Sequence, residues 1–318
     1  EVMAGITTFM TMAYILAVNP SVLGSTGMDT TAVLLATALA SCLGTLCMAF
    51  MANLPFALSA GMGLNAFMAY TVVAGYGYSW QVALLAVFIE GLIFIVLSLT
   101  NVREAIFNAI PLTLKKGVSV GIGLFIAFIG LQNSGLCVDS ATLVGIISFP
   151  ENFHTAGICA LLTLIGLFFT AVFYTRKMKG AILYGILLTW ILGMLCQVTG
   201  LYVPTPDAGF YSLFPSWGMT DFSKLGLTFG QCFNVDFSAV GIVNFIVVIF
   251  SFLFVDIFDT LGTLIGVATK AKMLDKDGKL PGIKPALLAD SIATSAGAIL
   301  GTSTTTTFVE SASGVAVG

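Results

Sequence analysis

Apolar residues recur along the chain in long stretches that short polar connections separate. The stretches cover residues 3–19, 32–52, 59–74, 80–99, 117–134, 156–175, 180–200, 240–268, 285–300 and 302–318. A helix of ~20 apolar residues crosses a bilayer, and helices satisfy their own backbone amides where no water can. The pattern predicts an all-α polytopic membrane protein, with about ten segments inside this sequence.

The third and tenth segments are shorter and richer in small residues than the others. The third follows Pro55 and contains Ser59, Ala60, Gly61 and Gly63, whereas hydroxyl residues fill 302–307 of the tenth. A run of Thr favours extended backbone, and the small residues at 311–314 permit close helix approach. We therefore expect interrupted spans. Two such segments in corresponding places indicate an inverted-repeat transporter with its binding site between them.

Basic residues are concentrated in alternate connections. Eleven of the twelve Lys and Arg residues follow segments 4, 6 or 8, and Lys224 is the exception. The connections after segments 1, 3, 5 and 7 carry Asp29, Asp139, Glu151, Asp207, Asp221 and Asp236. Because basic loops face the cytoplasm, this alternation predicts a cytoplasmic N-terminus and counts segment 3 as a separate span.

The composition narrows the class of protein further. Mean hydropathy is +1.04 and 8% of residues are charged, whereas soluble domains carry roughly 25%. No basic cluster is large enough to follow a nucleic-acid backbone, and the six cysteines lack C-x-x-C spacing, which favours packing roles. The chain begins at Glu1 and ends within an apolar stretch, so we expect it to be an internal piece of a longer protein.

Two connections have patterns of their own. Residues 101–115 alternate apolar and polar positions at helical spacing, which predicts a short interfacial helix on the cytoplasmic side. Residues 201–237 combine prolines with aromatic side chains between Phe210 and Trp217. That composition predicts an ordered outer loop, which serves either as an interfacial anchor or as a lid.

Three acidic side chains within the apolar segments carry the candidate chemistry: Asp256, Asp259 and Glu310. A carboxylate at the bilayer centre costs at least ~2.5–3.5 kcal/mol, so its default interpretation is a site for a polar solute or a proton. On a helix, Asp256 and Asp259 share one face with Thr260 and Thr263. Two carboxylates so close in low dielectric are not both readily ionised, so one is expected to hold a proton. The structural alternative is a carboxyl that caps a neighbouring helix or binds backbone amides.

Two further polar residues have open assignments. Asn65 offers a donor and an acceptor, which suits the edge of a heterocycle, although a lone Asn more often bonds one helix to another. Glu90 in segment 4 is interpreted as a structural hydrogen bond, with a place in the site as the alternative. An intramembrane aspartyl protease needs two aspartates that face each other from different helices. Asp256 and Asp259 lie on one helix, and no second aspartate motif stands opposite them.

Four stretches together resemble a known family. They are AGITTFMTMAYILAVNP (4–20), FALSAGMGLNAF (56–67), FVDIFDTLGTLIG (254–266) and STTTTFVESASGVAVG (303–318). They resemble the nucleobase:cation symporter-2 family and, within it, the adenine–guanine–hypoxanthine permease (AzgA-like) branch. The resemblance covers essentially the whole chain.

The resemblance implies an inverted repeat of seven plus seven transmembrane segments with short strands in segments 3 and 10. Segments 1–4 and 8–11 would form a core domain, and segments 5–7 and 12–14 a gate domain. On that pattern the core covers residues 1–100 and 237–318, and the gate covers 101–236. Segments 11–14 would lie outside this sequence.

The same resemblance implies roles for individual residues. Glu310 corresponds to the acid that holds the nucleobase, and Asp256 lies where segment 8 supplies an acid for binding. Asp259 matches the acid common to the wider family, and Asp256, Asp259 and Glu310 are the expected proton-coupling groups. Asn65, with Gly63 beside it, occupies the contact that the purine branch makes from segment 3.

Aromatic side chains complete the expected substrate site. Phe308 or Phe258 would stack on the flat face of a base. Some members of the family place a histidine where this chain has Thr263, so a histidine proton relay is excluded.

The expected function is proton-coupled import of adenine, guanine or hypoxanthine through a plasma (inner) membrane. No cofactor beyond the proton gradient and no nucleic-acid partner is expected, and a homodimer is an open alternative to a monomer. A uracil or xanthine transporter is the nearest rival, although those branches have different patterns in segments 3 and 8. An anion carrier or channel of the same fold is the other rival, and Glu310 would repel its substrate.

Overall fold

The computed structural model describes residues 1–100, 102, 105, 111–141, 143–178, 181–206, 209–215, 218, 220–237, 240–275 and 280–316. The chain forms two compact units. Unit 1 comprises Glu1–Ile122 and Thr220–Gly318, and unit 2 comprises Gly123–Met219. The candidate-site acids Asp256, Asp259 and Glu310 belong to unit 1, as does Glu90.

Unit 1 begins with two short helices, α1 (Val2–Met12) and α2 (Ile15–Gly24), and then the longer α3 (Thr30–Cys47). Asp29 precedes α3, and its carboxylate accepts a hydrogen bond from the Ala32 amide at 2.9 Å. This contact satisfies one of the amides that a helix start leaves without an internal partner. A π-helical turn, Met48–Ala52, continues α3.

The third segment is interrupted, as its small residues predict. Strand β1 (Leu58–Ala60) precedes a short helix, α4 (Met62–Ala66), which a π-helical stretch, Phe67–Gly75, continues. Helix α5 (Trp80–Leu99) follows, and the Ser79 hydroxyl accepts a hydrogen bond from the Val82 amide at its start. The predicted interfacial helix at 101–115 lies mostly outside the described residues, and helix α6 (Leu112–Asn133) comes next.

Unit 2 contains a hairpin that the sequence pattern does not predict. Strands β2 (Cys137–Ser140) and β3 (Leu143–Ile146) pair antiparallel. After them come α7 (Phe149–Asn152), a π-helical turn at Phe153–Gly157, α8 (Ile158–Thr175) and α9 (Ala181–Val198).

Helices α8 and α9 pack through two reciprocal glycine contacts. A Cβ atom on Gly166 would overlap the Thr189 hydroxyl, and one on Gly185 would overlap the Thr170 hydroxyl. Small residues on each helix therefore admit the threonines of the other, which is typical of helices that pack in lipid.

The outer connection is ordered in its described part, as predicted. Trp190 of α9 donates a hydrogen bond from Nε1 to the Leu213 carbonyl at 2.9 Å. The Leu213 amide donates to Gln197 Oε1 at 2.8 Å, and the Tyr202 hydroxyl donates to the Tyr211 carbonyl at 2.7 Å. These contacts favour the anchor over the lid for the residues before 215, whereas Asp207 and Trp217 lie outside the described residues.

The rest of this connection belongs to unit 1 and packs on its helices. Lys224 forms an ion pair with Asp29 at 3.3 Å. The Thr228 hydroxyl donates to the Leu300 carbonyl at 3.0 Å, and the Gly230 amide donates to the Ile299 carbonyl at 2.7 Å. The connection therefore covers the end of a membrane helix.

The last part of unit 1 repeats the order seen at its start. Helices α10 (Ile242–Lys270) and α11 (Ile283–Leu300) precede strand β4 (Thr305–Thr307) and the short helix α12 (Ser311–Val315). Gly301 ends α11 with φ +101°, a left-handed conformation that favours glycine.

Buried apolar side chains hold unit 1 together while its outer faces stay apolar. One cluster joins Met68, Phe94 and Phe252, from the third segment, α5 and α10. On the outside of α10, Phe250 and Phe254 are 64% and 65% exposed. Exposed phenyl rings on a membrane helix are solvated by lipid tails.

The described chain has six helical stretches long and apolar enough to cross a membrane, judged by length and composition. They are Val2–Gly24, Thr30–Ala52, Trp80–Leu99, Phe149–Thr175, Ile242–Lys270 and Ile283–Leu300. Two shorter apolar helices, Met62–Gly75 and Tyr184–Val198, accompany them. The mostly helical, polytopic architecture that the sequence predicts is confirmed.

Candidate functional site

The two interrupted segments of unit 1 meet through their strands. β1 pairs antiparallel with β4, with Leu58 opposite Thr307, Ser59 opposite Thr306, and Ala60 opposite Thr305. The ladder continues at both ends, because the Gly61 amide donates to the Thr304 carbonyl and the Phe308 amide donates to the Ala57 carbonyl, each at 2.9 Å. Each extended stretch thus satisfies backbone groups of the other, which a membrane interior requires.

A buried cluster of hydroxyls and carboxyls joins α10, α11 and β4. The Thr260 hydroxyl lies 3.1 Å from Asp256 Oδ1, 3.2 Å from Asp290 Oδ2 and 3.3 Å from Thr306 Oγ1. Asp256, Thr260 and Asp290 are all completely buried.

This geometry provides a place for a proton. A threonine hydroxyl has one proton to donate, so Thr260 either shares that proton between the two carboxyls or donates to one carboxyl and accepts from the other when the other is protonated. The same hydroxyl also contacts Thr306. The cluster therefore links a protonatable pair of acids to the strand of the tenth segment.

Asp259 reaches the third segment. A methyl group on Gly61 would lie 2.8 Å from Thr306 Cγ2 and 3.3 Å from Asp259 Oδ2. Glycine at position 61 therefore leaves the space that the half-buried Asp259 carboxyl occupies at the start of α4. The Thr263 hydroxyl bonds backbone carbonyls of its own helix, those of Asp259 and Thr260.

Glu310 lies immediately before α12 and is half-buried. Its Oε1 accepts a hydrogen bond of 2.7 Å from the Tyr14 hydroxyl, between α1 and α2. Phe308, which is 5% exposed, forms a cluster with Met12 and Ile15, against which Tyr14 and Met62 also pack. Tyr14 thus joins the Glu310 carboxylate to the cluster that contains Phe308.

Asn65 lies in α4, is completely buried and bonds to protein groups in this conformation. Its Nδ2 donates to Asn19 Oδ1 at 2.6 Å, and its Oδ1 accepts a hydrogen bond from Ser303. Asn19 in turn donates to Thr37 and Thr302. A direct contact between Asn65 and a base stays a prediction, and it would require this network to open.

The two remaining predicted substrate contacts, Gly63 and Phe258, are both partly accessible. Gly63, in α4, is half-buried. Phe258 is also half-buried, and its ring makes an edge-on contact with Phe254, the centroids lying 4.8 Å apart. Phe254 is on the lipid-facing side of α10. Stacking of Phe258 on a base stays a prediction.

Glu90 makes the hydrogen bond that its interpretation as a structural residue predicts. It is completely buried in α5, and the Thr304 hydroxyl donates to its Oε2 at 3.0 Å. Glu90 thus holds the extended stretch before β4 from α5.

Asp290 is the candidate-site residue that sequence reasoning missed. No second aspartate motif was expected opposite segment 8, yet Asp290 reaches the Thr260 hydroxyl from α11, a different helix from that of Asp256. The available signal was a further acid within an apolar segment, beside Glu90, Asp256, Asp259 and Glu310. It was overlooked because small and hydroxyl residues surround it, so that α11 reads as an ordinary packing helix.

A cavity of about 890 Å³ in unit 1 borders the cluster of Phe308, since Met12 and Ile15 line it. The rest of its lining comes from α1, α2, α3, the residues before β1 and the end of α12, and includes none of Asp256, Asp259, Asp290 or Glu310. Chemistry therefore argues for the acids around β1 and β4 as the site. Among the described residues, His, Cys, Asp and Glu side chains form no group of three that could hold a metal ion.

Comparison with known proteins gives a consistent result over the whole chain. A family model described as "Permease family" (Xan_ur_permease) matches residues 1–318. The guanine/hypoxanthine permease PbuG of Bacillus subtilis is 46% identical over 328 residues, which cover 100% of this chain and 70% of that protein. The guanine/hypoxanthine permease PbuO of the same organism is 44% identical, with 100% and 70% covered. The adenine permease AdeP of Escherichia coli is 40% identical, with 100% and 66% covered.

Proposed function

This chain belongs to the nucleobase:cation symporter-2 family of permeases, and from that premise we propose that it carries purine nucleobases through a membrane together with protons. Membership makes it a transporter and not an enzyme, and its apolar helices make it an integral membrane protein. Relatives that share 40–46% of its residues are named as permeases for guanine and hypoxanthine or for adenine. The specificity proposed here follows those names.

The observation that carries the proposal is the antiparallel pairing of β1 with β4. It brings the starts of two half-helices together with an acid of α10. A purine has ring N–H donors and ring acceptors around a flat aromatic system. Carboxylates that accept N–H bonds, beside an aromatic side chain, are the groups that recognise such a ring.

We assign the substrate contacts by accessibility. Glu310 and Asp259 are half-buried, so a ligand between the half-helices can reach them. Phe308 is two residues before Glu310, in a cluster against which Tyr14, the partner of Glu310, also packs. In the proposed complex Glu310 accepts from a ring N–H, and Phe308 lies against the face of the base. Asn65, Gly63 and Phe258 are retained as proposed contacts.

Proton coupling is assigned to the acids that share Thr260. Asp256 and Asp290 are completely buried, and a charge there without a proton is costly in lipid. Protonation from the outside would let the loaded protein move the site across the membrane, and deprotonation inside would reset it. Asp259 and Glu310 are proposed to take part because they lie beside the same strands. The proton gradient then supplies the driving force, without a cofactor.

The finer architecture is also a proposal. In unit 1, one strand and half-helix (β1 and α4) follow α3, and another strand and half-helix (β4 and α12) follow α11. Because the strands pair antiparallel about Ser59 and Thr306, a two-fold axis in the membrane plane would relate the two halves. This supports an inverted repeat with a core of residues 1–100 and 237–318 and a gate of 101–236. A cytoplasmic N-terminus, a plasma-membrane location and a homodimer complete the proposal.

The decisive experiment is a competition assay with the intact protein in proteoliposomes. Uptake of labelled hypoxanthine is measured under an inward proton gradient against unlabelled adenine, guanine, uracil, xanthine and sulfate. We expect purine bases of the adenine, guanine and hypoxanthine group to compete and uracil and sulfate to have no effect. If uracil or xanthine alone competes, the protein is a uracil or xanthine transporter instead. Uptake that a proton uncoupler does not change would remove the symport half of the proposal.

A further inference from the structure

The helical stretch Val2–Gly24 is interrupted between α1 and α2, and one side chain at that junction contacts the tenth segment. α1 ends at Met12 and α2 begins at Ile15, so Ala13 and Tyr14 form a turn between them. The Tyr14 hydroxyl donates to Glu310 Oε1 at 2.7 Å. Among the described side chains, Tyr14 is the one that donates a hydrogen bond to the Glu310 carboxylate.

A second contact holds the backbone at the same residue. The Thr11 and Ser313 hydroxyls lie 2.9 Å apart, and the Ser313 hydroxyl donates to the Glu310 carbonyl at 2.6 Å. One turn further along, Gly314 brings α12 against α1, since a Cβ atom there would overlap Thr8 Oγ1. α1 therefore holds Glu310 at its side chain through Tyr14 and at its carbonyl through Ser313.

A glutamate has three rotatable side-chain bonds, and fixing them before a ligand arrives removes an entropic cost of binding. A phenol that donates to one carboxylate oxygen sets the direction of the carboxylate plane and leaves the second oxygen for another donor. Short hydrogen bonds to an ionised acceptor are among the stronger ones in proteins. The hydroxyl of Tyr14 is thus placed to orient Glu310.

We propose that Tyr14 is a positioning residue for substrate recognition, which holds the Glu310 carboxylate in the orientation that a purine N–H group meets. The inference rests on the proposed function, since it concerns the same site. It predicts that loss of the Tyr14 hydroxyl weakens binding while the moving parts of the transporter remain intact.

The test compares Tyr14→Phe with Tyr174→Phe in the intact protein. Tyr174 is 63% exposed near the end of α8 and serves as the matched control. We expect Tyr14→Phe to raise the KM for hypoxanthine roughly 10- to 100-fold, the loss of about one hydrogen bond to a charged group, with the maximal rate within about two-fold. Tyr174→Phe is expected to match the wild type.

A double-mutant cycle then shows whether Tyr14 acts through Glu310. Equilibrium binding of labelled hypoxanthine is measured for the wild type, Tyr14→Phe, Glu310→Gln and the double variant. If Tyr14 acts through the carboxylate, Tyr14→Phe has little further effect once Glu310 is changed, so the two effects are not additive. Additive effects would overturn the proposal.

Other outcomes separate this inference from the proposed function. If the wild type transports hypoxanthine and Tyr14→Phe transports it with the same KM, the positioning role is wrong and the transport function stands. If the wild type neither binds nor transports purines, the proposed function itself fails. Should Tyr14→Phe fail to fold, Ser313→Ala removes the second link to Glu310 and is expected to raise the KM in the same direction. An unchanged KM in that variant would count against the role of α1.

Discussion

Asp256 on α10 and Asp290 on α11 contact the same hydroxyl, that of Thr260, at 3.1 and 3.2 Å. Both carboxyls are completely buried. Two acids from different helices that share one proton donor form a unit whose charge changes by one when a single proton arrives. Because the same hydroxyl contacts Thr306 of β4, such a change of charge alters the hydrogen bonding of the strand in the tenth segment.

Thr260→Val is expected to uncouple uptake from the proton gradient. Valine keeps the shape of threonine and removes the hydroxyl that both acids contact. A hydrogen bond to a charged group contributes about 1.5–3 kcal/mol, so concentrative hypoxanthine uptake should fall roughly 10- to 100-fold. Thr263→Val is the control, since that hydroxyl bonds backbone carbonyls of its own helix. Equal losses in both variants would assign the effect to helix packing.

Asp290→Asn should impair proton-driven uptake as strongly as Asp256→Asn. The two acids occupy equivalent positions around Thr260, and an amide cannot take up and release the proton that a carboxyl does. The measurement is hypoxanthine uptake with and without an imposed proton gradient. Asp139→Asn, in the β2–β3 hairpin of unit 2, provides a carboxyl-to-amide control. An Asp290→Asn protein that still responds to the gradient would remove Asp290 from the coupling unit.

Gly61→Ala should abolish uptake while Gly266→Ala leaves it intact. A methyl group on Gly61 would lie 2.8 Å from Thr306 Cγ2, closer than real Cβ contacts allow, so the strand pair or Asp259 must move. No atom lies within 4 Å of the corresponding position on Gly266, which is in α10. Uptake by both variants, at matched amounts of folded protein in the membrane, checks the difference. Wild-type uptake by Gly61→Ala would show that this contact does not constrain the site.

The ion pair between Asp29 and Lys224 predicts a dependence of stability on pH. The hydrogen bond from the Ala32 amide, with help from Lys224, holds the pKa of Asp29 below its ordinary value. A group whose pKa is lowered on folding stabilises the folded state above its unfolded pKa, and this contribution is lost as the pH falls through the folded pKa. The effect is confined to the acid side, below about pH 4.

Asp29→Asn is the variant that reveals it. Asparagine retains the helix cap but has no charge, so the thermal unfolding midpoint in detergent should fall less between pH 5 and pH 3 than that of the wild type. Asp29→Ala removes the cap as well and should lower the free energy of unfolding by about 0.5–2 kcal/mol at every pH. Identical pH profiles for the wild type and Asp29→Asn would contradict the assignment.

The helices of this fold are predictable because lipid imposes a simple requirement on the sequence. Each of the ten apolar stretches contains a helix, a strand or both in the structure, and the small residues around Gly61 mark a real interruption. The run of threonines before Phe308 likewise marks β4. The β2–β3 hairpin was missed because four-residue strands carry little periodicity, and their apolar residues resemble those of any outer loop.

The candidate site was predictable in its residues but not in its pairing. Asp256, Asp259 and Glu310 stand out because each is an acid in an apolar segment. Sequence spacing grouped Asp256 with Asp259, whereas the structure groups Asp256 with Asp290 through Thr260. Such a contact depends on how α10 and α11 pack, and no local pattern encodes it. The same applies to Tyr14, which reaches Glu310 across almost the full length of the sequence.

The pairing of β1 with β4 joins residues that leave the ribosome far apart in time. Leu58 and Thr307 are partners, and at roughly 5–20 residues per second their synthesis is separated by about 10 to 50 seconds. Throughout that interval the unpaired backbone amides and carbonyls of β1 need other hydrogen-bond partners, from water, from the insertion machinery or from a neighbouring segment. The pairing of β1 with β4 can therefore form only after the tenth segment has been synthesised, so the candidate site cannot be the first part of unit 1 to assemble.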